Sequence, residues 1–184
     1  MSFLLGLATF SAQGFLPDAG RSFANSASGW TLLTALLIYV ARVSPRLTSA
    51  LGALSFVLLV IGYTAGASLQ SLSYNPLFFG VVGLAVGPFI GLAAAWLREG
   101  GVLAALATAL LSGVFAGEAA YGLTVIADTT RPEYWVAIGA LGILLLLGML
   151  VWRLRGPVPV VLGIVGTAVV ASTFVAAYTG LGSI

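Results

Sequence analysis

Apolar residues fill long, nearly uninterrupted runs of this chain, and the polar residues gather in the short stretches between them. A helix needs about 20 apolar residues to cross about 30 Å of hydrocarbon. Five runs meet that length: 47–69, 76–97, 101–126, 134–152 and 157–178. Two shorter runs, 2–16 and 26–43, precede them. The pattern predicts an all-α, polytopic transmembrane helical bundle of seven helices, or six if the first run is partial. That first run lacks the basic opening of a signal peptide, and no soluble domain follows it. Breakers mark the turns. Pro76 and Pro157 begin helices and Pro132 lies just before one, where a missing N–H costs nothing. Asn25, Ser26 and Ser28 offer caps for the second helix. Gly100, Gly101 and Gly156 sit in tight connections. No linker is long enough to separate one domain from another, so residues 1–184 are expected to form a single transmembrane domain.

Charge orients this frame. Only 7% of the residues are charged and 60% are hydrophobic, against about 25% charged in a soluble domain. Arg42 and Arg46, Arg98, and Arg153 with Arg155 fall in three connections on one side. Arg21 and Arg131 fall on the other, beside Asp18, Asp128 and Glu133. Translocation of arginine is resisted, so the arginine-rich side is expected in the cytoplasm, with the N-terminus inside and the C-terminus outside. Trp30 and Trp135 at outer helix ends, and Trp96 and Trp152 at inner ends, are expected to form an interfacial belt.

The same composition removes several chemistries. The chain has no Cys, His or Lys, which excludes thiolate and imidazole metal sites, a histidine base and lysine Schiff bases. No metal, cofactor or enzymatic activity is expected. A two-carboxylate site of Glu118 and Asp128 is conceivable, but solvation explains Asp128 and Glu133 in "ADTTRPEYW". Seven arginines against five acids are too few and too scattered to bind nucleic acid.

Glu118, in "SGVFAGEAAYGL", is the main candidate for a function. A charge within a span is costly and faces a cavity or a partner. Tyr121 shares its helix face. Glu118 lies roughly 6 Å inside the expected outer boundary, so pairing with Arg21 or Arg131, or reaching out to the headgroups, is open as well. Gln13, Tyr63, Thr64, Gln70, Ser172, Thr173 and Tyr178 fall at similar depth. The segment "PDAGRSFANSAS", which holds Asn25, is either a lid or an ordinary connector. The expected ligand-binding set is Glu118, Tyr121, Tyr63, Gln13, Tyr178 and Asn25, lining an outward cavity for a small amphipathic or cationic molecule. The rival is a non-catalytic scaffold or partner subunit, a homo-oligomer included, that docks helices on glycine stripes. Those stripes are Gly83, Gly87 and Gly91, then Gly62 with Gly66, and Gly113 with Gly117. Pro88 interrupts the first of them and is expected to kink its helix.

"GYTAGA", "AYGLTV" and "AYTGLG" place Tyr63, Tyr121 and Tyr178 at the ends of three spans. Their near-equal spacing suggests a short helix followed by three similar hairpins, unless each tyrosine is merely a belt residue.

At "LATFSAQGFLP", "FANSASGW", "GEAAYGLTVIADTTRPEYW" and "RLRGPVP" the chain resembles a family of small multi-spanning bacterial membrane proteins classed as a domain of unknown function. That resemblance covers nearly the whole length and implies a multi-pass protein of the bacterial plasma (inner) membrane, with no assigned reaction. In size, outer polar cluster and first loop the chain is also similar to the substrate-capture subunits of energy-coupling-factor vitamin transporters. Those usually span six times, so the seventh helix departs from them, and no vitamin-binding motif is present.

The arginine rule yields a direct test. Single cysteines at Ser44 and Thr129 in this cysteine-free chain should label from opposite sides of the membrane. Labelling of both from one side refutes the predicted topology.

Overall fold

The computed structural model describes residues 1–72 and 74–181, without the side chains of Asp18, Ala19, Asn25, Pro45 and Leu181. The described residues are helical and contain no strand. In order they form α1 (Ser2–Gln13), α2 (Asp18–Arg21), a 3-10 turn (Ser22–Asn25), α3 (Ala27–Ala41), α4 (Pro45–Leu69), α5 (Leu77–Trp96), α6 (Gly101–Thr124), α7 (Pro132–Trp152) and α8 (Pro157–Leu181). The short α2 is a single turn within the connection from α1 to α3, which leaves seven principal helices. Helices α4 to α8 are long and apolar enough to cross a membrane. With 12 residues α1 rises about 18 Å, and with 15 residues α3 rises about 22 Å. Both fall short of the full hydrocarbon thickness.

Local chemistry sets the boundaries. The Ser26 Oγ accepts the Gly29 N–H at 2.9 Å and caps α3. The Asn75 Oδ1 accepts the Leu77 N–H at 3.0 Å and opens α5, so Pro76 lies just outside the helix. Pro132 and Pro157 are first residues of α7 and α8. Gly101 (φ 64°) and Gly156 (φ 85°) take the left-handed conformation where the chain reverses. Pro88 lies inside α5, which continues through it.

The helices gather into two compact units, Met1–Ala95 and Trp96–Ile184. In the first, α4 is the centre. Helix α1 lies on it in the same direction: Gly6 abuts the backbone of Leu59, Gly62 abuts the backbone at Phe3 and Leu7, and Gly66 meets the Phe10 ring. Helix α5 lies on α4 in the opposite direction. A Cβ on Gly87 would stand 2.7 Å from the Ala53 Cα, and one on Gly83 would stand 2.7 Å from the Phe56 ring. Around these contacts, Phe10, Trp30, Phe56, Leu59, Val60, Tyr63 and Ala67 form a core cluster. Trp30 is its hub, with ring centroids 5.9 Å from Phe56, 5.6 Å from Tyr63 and 6.0 Å from Phe79. Such pairs add about 0.5–1.5 kcal/mol each beyond the area they bury.

In the second unit, α6 is the centre, with most of its faces buried. Helix α8 runs along it in the same direction. A Cβ on Gly113 would clash with Val170, and one on Gly117 would lie 2.8 Å from both the Ala171 O and the Phe174 Cβ. Helix α7 runs in the opposite direction, with Trp135 packed on Gly122 and Phe115 facing Gly142. Thus α8 packs chiefly on α6 and only lightly on α7, its neighbour in sequence. The Arg153 guanidinium donates to the Arg98 carbonyl at 2.9 Å, so two of the arginine-bearing turns meet on one side of this unit.

Two sequence expectations change here. Trp30 and Trp135 do sit at helix ends, but both are 4% exposed and point inward, because each has a glycine-flanked or aromatic seat to fill. They are core anchors, while Trp152 at the other end is exposed. The hairpins that the tyrosine spacing suggests are also not the chief packing pairs, which are α1 with α4 and α6 with α8.

Gly87→Leu should force α5 off α4 and lower stability by about 1–3 kcal/mol, the range for overpacked cores. Gly80→Leu, where no atom lies within 4 Å, should leave the melting temperature unchanged. Equal melting temperatures in detergent would show that the stripe is not a contact.

Candidate functional site

The polar and aromatic residues singled out in the sequence fall into two groups, one in each unit. In the second unit, small residues draw α8 onto α6 at Gly113 and Gly117, and the side chains just beyond that contact are forced together. Glu118 follows Gly117 directly and is 4% exposed. It lies six residues before the end of α6 at Thr124, about 9 Å along the axis. Tyr121 lies on the next turn of the same face. Across from it, Phe174 and Tyr178 are one turn apart on α8 and stack at 4.3 Å with an interplanar angle of 14°. The Tyr121 and Tyr178 rings meet edge to face at 5.6 Å. The Glu118 carboxyl lies within electrostatic reach of the Tyr178 phenol. Three rings therefore meet near the ends of α6 and α8, with the buried Glu118 within reach of one of them. Phe174 was not singled out in the sequence, although its four-residue spacing from Tyr178 is the signal for a shared helix face.

The connection from α6 to α7 closes beside this group. The Trp135 Nε1–H donates to the Thr130 Oγ1 at 2.8 Å, and the Thr130 hydroxyl donates to the Ile126 carbonyl at 2.9 Å. Asp128 is exposed in this loop. Glu133 is exposed in the first turn of α7, where the helix dipole favours an acid. No group of three acids that could hold a metal ion occurs among the described residues.

In the first unit, the Gln13 Nε2–H donates to the Tyr63 Oη at 3.0 Å, joining the end of α1 to α4. Tyr63 meets Phe10 at 5.2 Å and Tyr74 at 4.9 Å, both edge to face. Tyr74, in the connection from α4 to α5, stacks on Phe79. Its buried hydroxyl has no hydrogen-bond partner among the described residues. Burial, with a smaller contribution from Tyr63, pushes the Tyr74 phenol up to about 12, so it stays neutral well into alkali. The connection between α1 and α3 is folded rather than open: the Trp30 Nε1–H donates to the Ala24 carbonyl at 3.2 Å, and Ala24 is fully buried. The side chains of Asn25 and Asp18, in that connection, lie outside the described residues.

The other expected cavity residues serve their own helices. The Thr64 hydroxyl donates to the Val60 carbonyl, Ser172 to Ala168 and Thr173 to Val169, all near 2.9 Å. Ser172, Thr173 and Gln70 are exposed. A hydroxyl in hydrocarbon takes the nearest carbonyl, and four residues back is always within reach.

Five of the six predicted site residues are thus described, and they form a pair, Gln13 with Tyr63, and a triad, Glu118 with Tyr121 and Tyr178. No curated protein and no solved structure matches the chain. A family model does match, over residues 1–183. The chain, a membrane-type helical protein with these two polar and aromatic groups, belongs to a family of unknown function (DUF6518).

Proposed function

We propose that the protein captures or passes a small amphipathic or cationic molecule without catalysing a reaction, and that Glu118 is the polar anchor of its site. The observation that carries this reading is the buried Glu118, one turn before Tyr121 on α6 and within electrostatic reach of Tyr178, whose ring meets Tyr121 and stacks on Phe174 near the ends of two helices long enough to cross a membrane. A carboxylate in hydrocarbon is expensive and is kept where it has a task. Aromatic faces attract cations, by about 0.5–2 kcal/mol each. By the arginine rule the group faces the exterior, in a bacterial plasma membrane. The scaffold alternative rested on the glycine stripes. Gly62, Gly66, Gly83, Gly87, Gly91, Gly113 and Gly117 are all engaged by helices of their own unit, which leaves that alternative little free surface of the kind it needs.

Native mass spectrometry of gently purified protein reports any retained small molecule, and Glu118→Gln keeps the size while removing the charge. A hydrogen bond to a charged group is worth about 1.5–3 kcal/mol. The variant should therefore lose retention by about tenfold or more, with an unchanged melting temperature. A lowered melting temperature with unchanged retention would make Glu118 a structural ion-pair partner and overturn the proposal.

A further inference from the structure

The opposite end of the first unit carries a second feature, independent of the Glu118 reading. A groove of about 240 Å³ lies between α3 and α4, beside the start of α1. Leu37 and Ile38 form its α3 wall, and Leu51, Leu54 and Leu58 its α4 wall. With Ser55, the α4 residues occupy one helical face at spacings of three and four. The two polar members, Ser2 and Ser55, are buried and hydrogen-bond each other, Oγ to Oγ, at 2.9 Å. Their polarity is thereby consumed, and the groove asks for an apolar occupant. It is smaller than the about 300–1,000 Å³ of ordinary ligand sites. Left empty, its lining would forfeit dispersion contacts.

Charge at the mouth names the occupant. Ala41 and Val43 line the groove, and Arg42 between them is exposed, in the left-handed conformation (φ 51°) that ends α3. Arg46, also exposed, lies in the first turn of α4. The unit contains no acid except Asp18, which follows the far end of α1. Two exposed arginines without an acid beside them in the sequence, one between groove-lining residues and the other in the first turn of the helix that forms a groove wall, match an anionic headgroup attached to a hydrocarbon chain. The geometry points to a bound anionic glycerophospholipid, with an acyl chain in the groove and its phosphate against Arg42 and Arg46.

Native mass spectrometry of the full chain, titrated with phosphatidylglycerol or phosphatidylcholine of equal chain length, tests this. The wild type should retain phosphatidylglycerol in preference. Attraction of an anionic lipid is worth about fivefold per arginine, so Arg42→Gln with Arg46→Gln should cut that preference by roughly 25-fold. Ala41→Phe fills the groove from an exposed position. It should abolish retention while both arginines and the melting temperature are preserved. Equal retention of the two lipids by the wild type would overturn the proposal. So would undiminished phosphatidylglycerol binding by either variant.

Discussion

Two apolar helix faces gain little by leaving lipid for each other, so a membrane helix stays beside its neighbour only where packing beats the packing that lipid offers. Direct backbone approach is the way this chain meets that condition. Gly6 and Gly62 bring α1 against α4, Gly83 and Gly87 bring α5 against α4, and Gly113 and Gly117 bring α8 against α6. At each of these positions a methyl group would overlap a neighbour. The remaining features follow from these contacts.

Parallel pairing determines where the polar side chains meet. When two helices run in the same direction in close contact, their carboxyl-terminal portions lie side by side. Gln13, at the end of α1, reaches Tyr63, six residues before the end of α4, and Tyr121 reaches Tyr178 near the ends of α6 and α8. The antiparallel helix of each set begins with a buried tryptophan whose indole N–H is held by the loop before it, Trp30 by Ala24 and Trp135 by Thr130. The sets α1–α3–α4 and α6–α7–α8 thus share a parallel pair and a tryptophan-anchored antiparallel helix, although that helix packs chiefly on α4 in the first set and on α6 in the second. The chemistry of the two sets differs: the first joins an amide to a phenol, and the second brings two phenols together near a buried carboxyl. That difference is why the second set carries the proposed site.

Much of this is legible in the residues. The apolar runs predict seven helices with ends correct to a few positions, because a span has a length set by the bilayer and ends marked by proline, glycine and capping side chains. The glycine stripes are legible as contact faces, but not as to which helix meets them. A stripe specifies close approach and not identity, so a hairpin reading pairs α8 with its sequence neighbour α7 instead of α6. The near-equal spacing of Tyr63, Tyr121 and Tyr178 misleads for the same reason. Tyr63 meets Gln13 across its parallel pair, whereas Tyr121 and Tyr178 meet each other, so the three tyrosines do not hold three equivalent places. The position of Trp30 and Trp135 along their helices suggests the interface, yet their direction depends on tertiary neighbours. Ser172 and Thr173 read as cavity residues by polarity alone, whereas each is satisfied by a carbonyl four residues back. The acyl-sized groove beside Arg42 has no sequence signal, since leucines facing a groove and leucines facing lipid read alike.

Parallel pairing of helices that are not sequence neighbours is the claim on which the rest stands, and disulfide trapping tests it most directly. The chain has no cysteine of its own. Ser2 and Ser55 bring their hydroxyl oxygens to 2.9 Å at the start of α1 and the middle of α4. A Ser2→Cys, Ser55→Cys variant should form an intramolecular disulfide on mild oxidation, seen as a reductant-sensitive shift in mobility, while Ser2→Cys with Ser68→Cys should form none. A bond in the second pair and not the first would mean that α1 runs against α4 in the opposite direction, and would contradict the account.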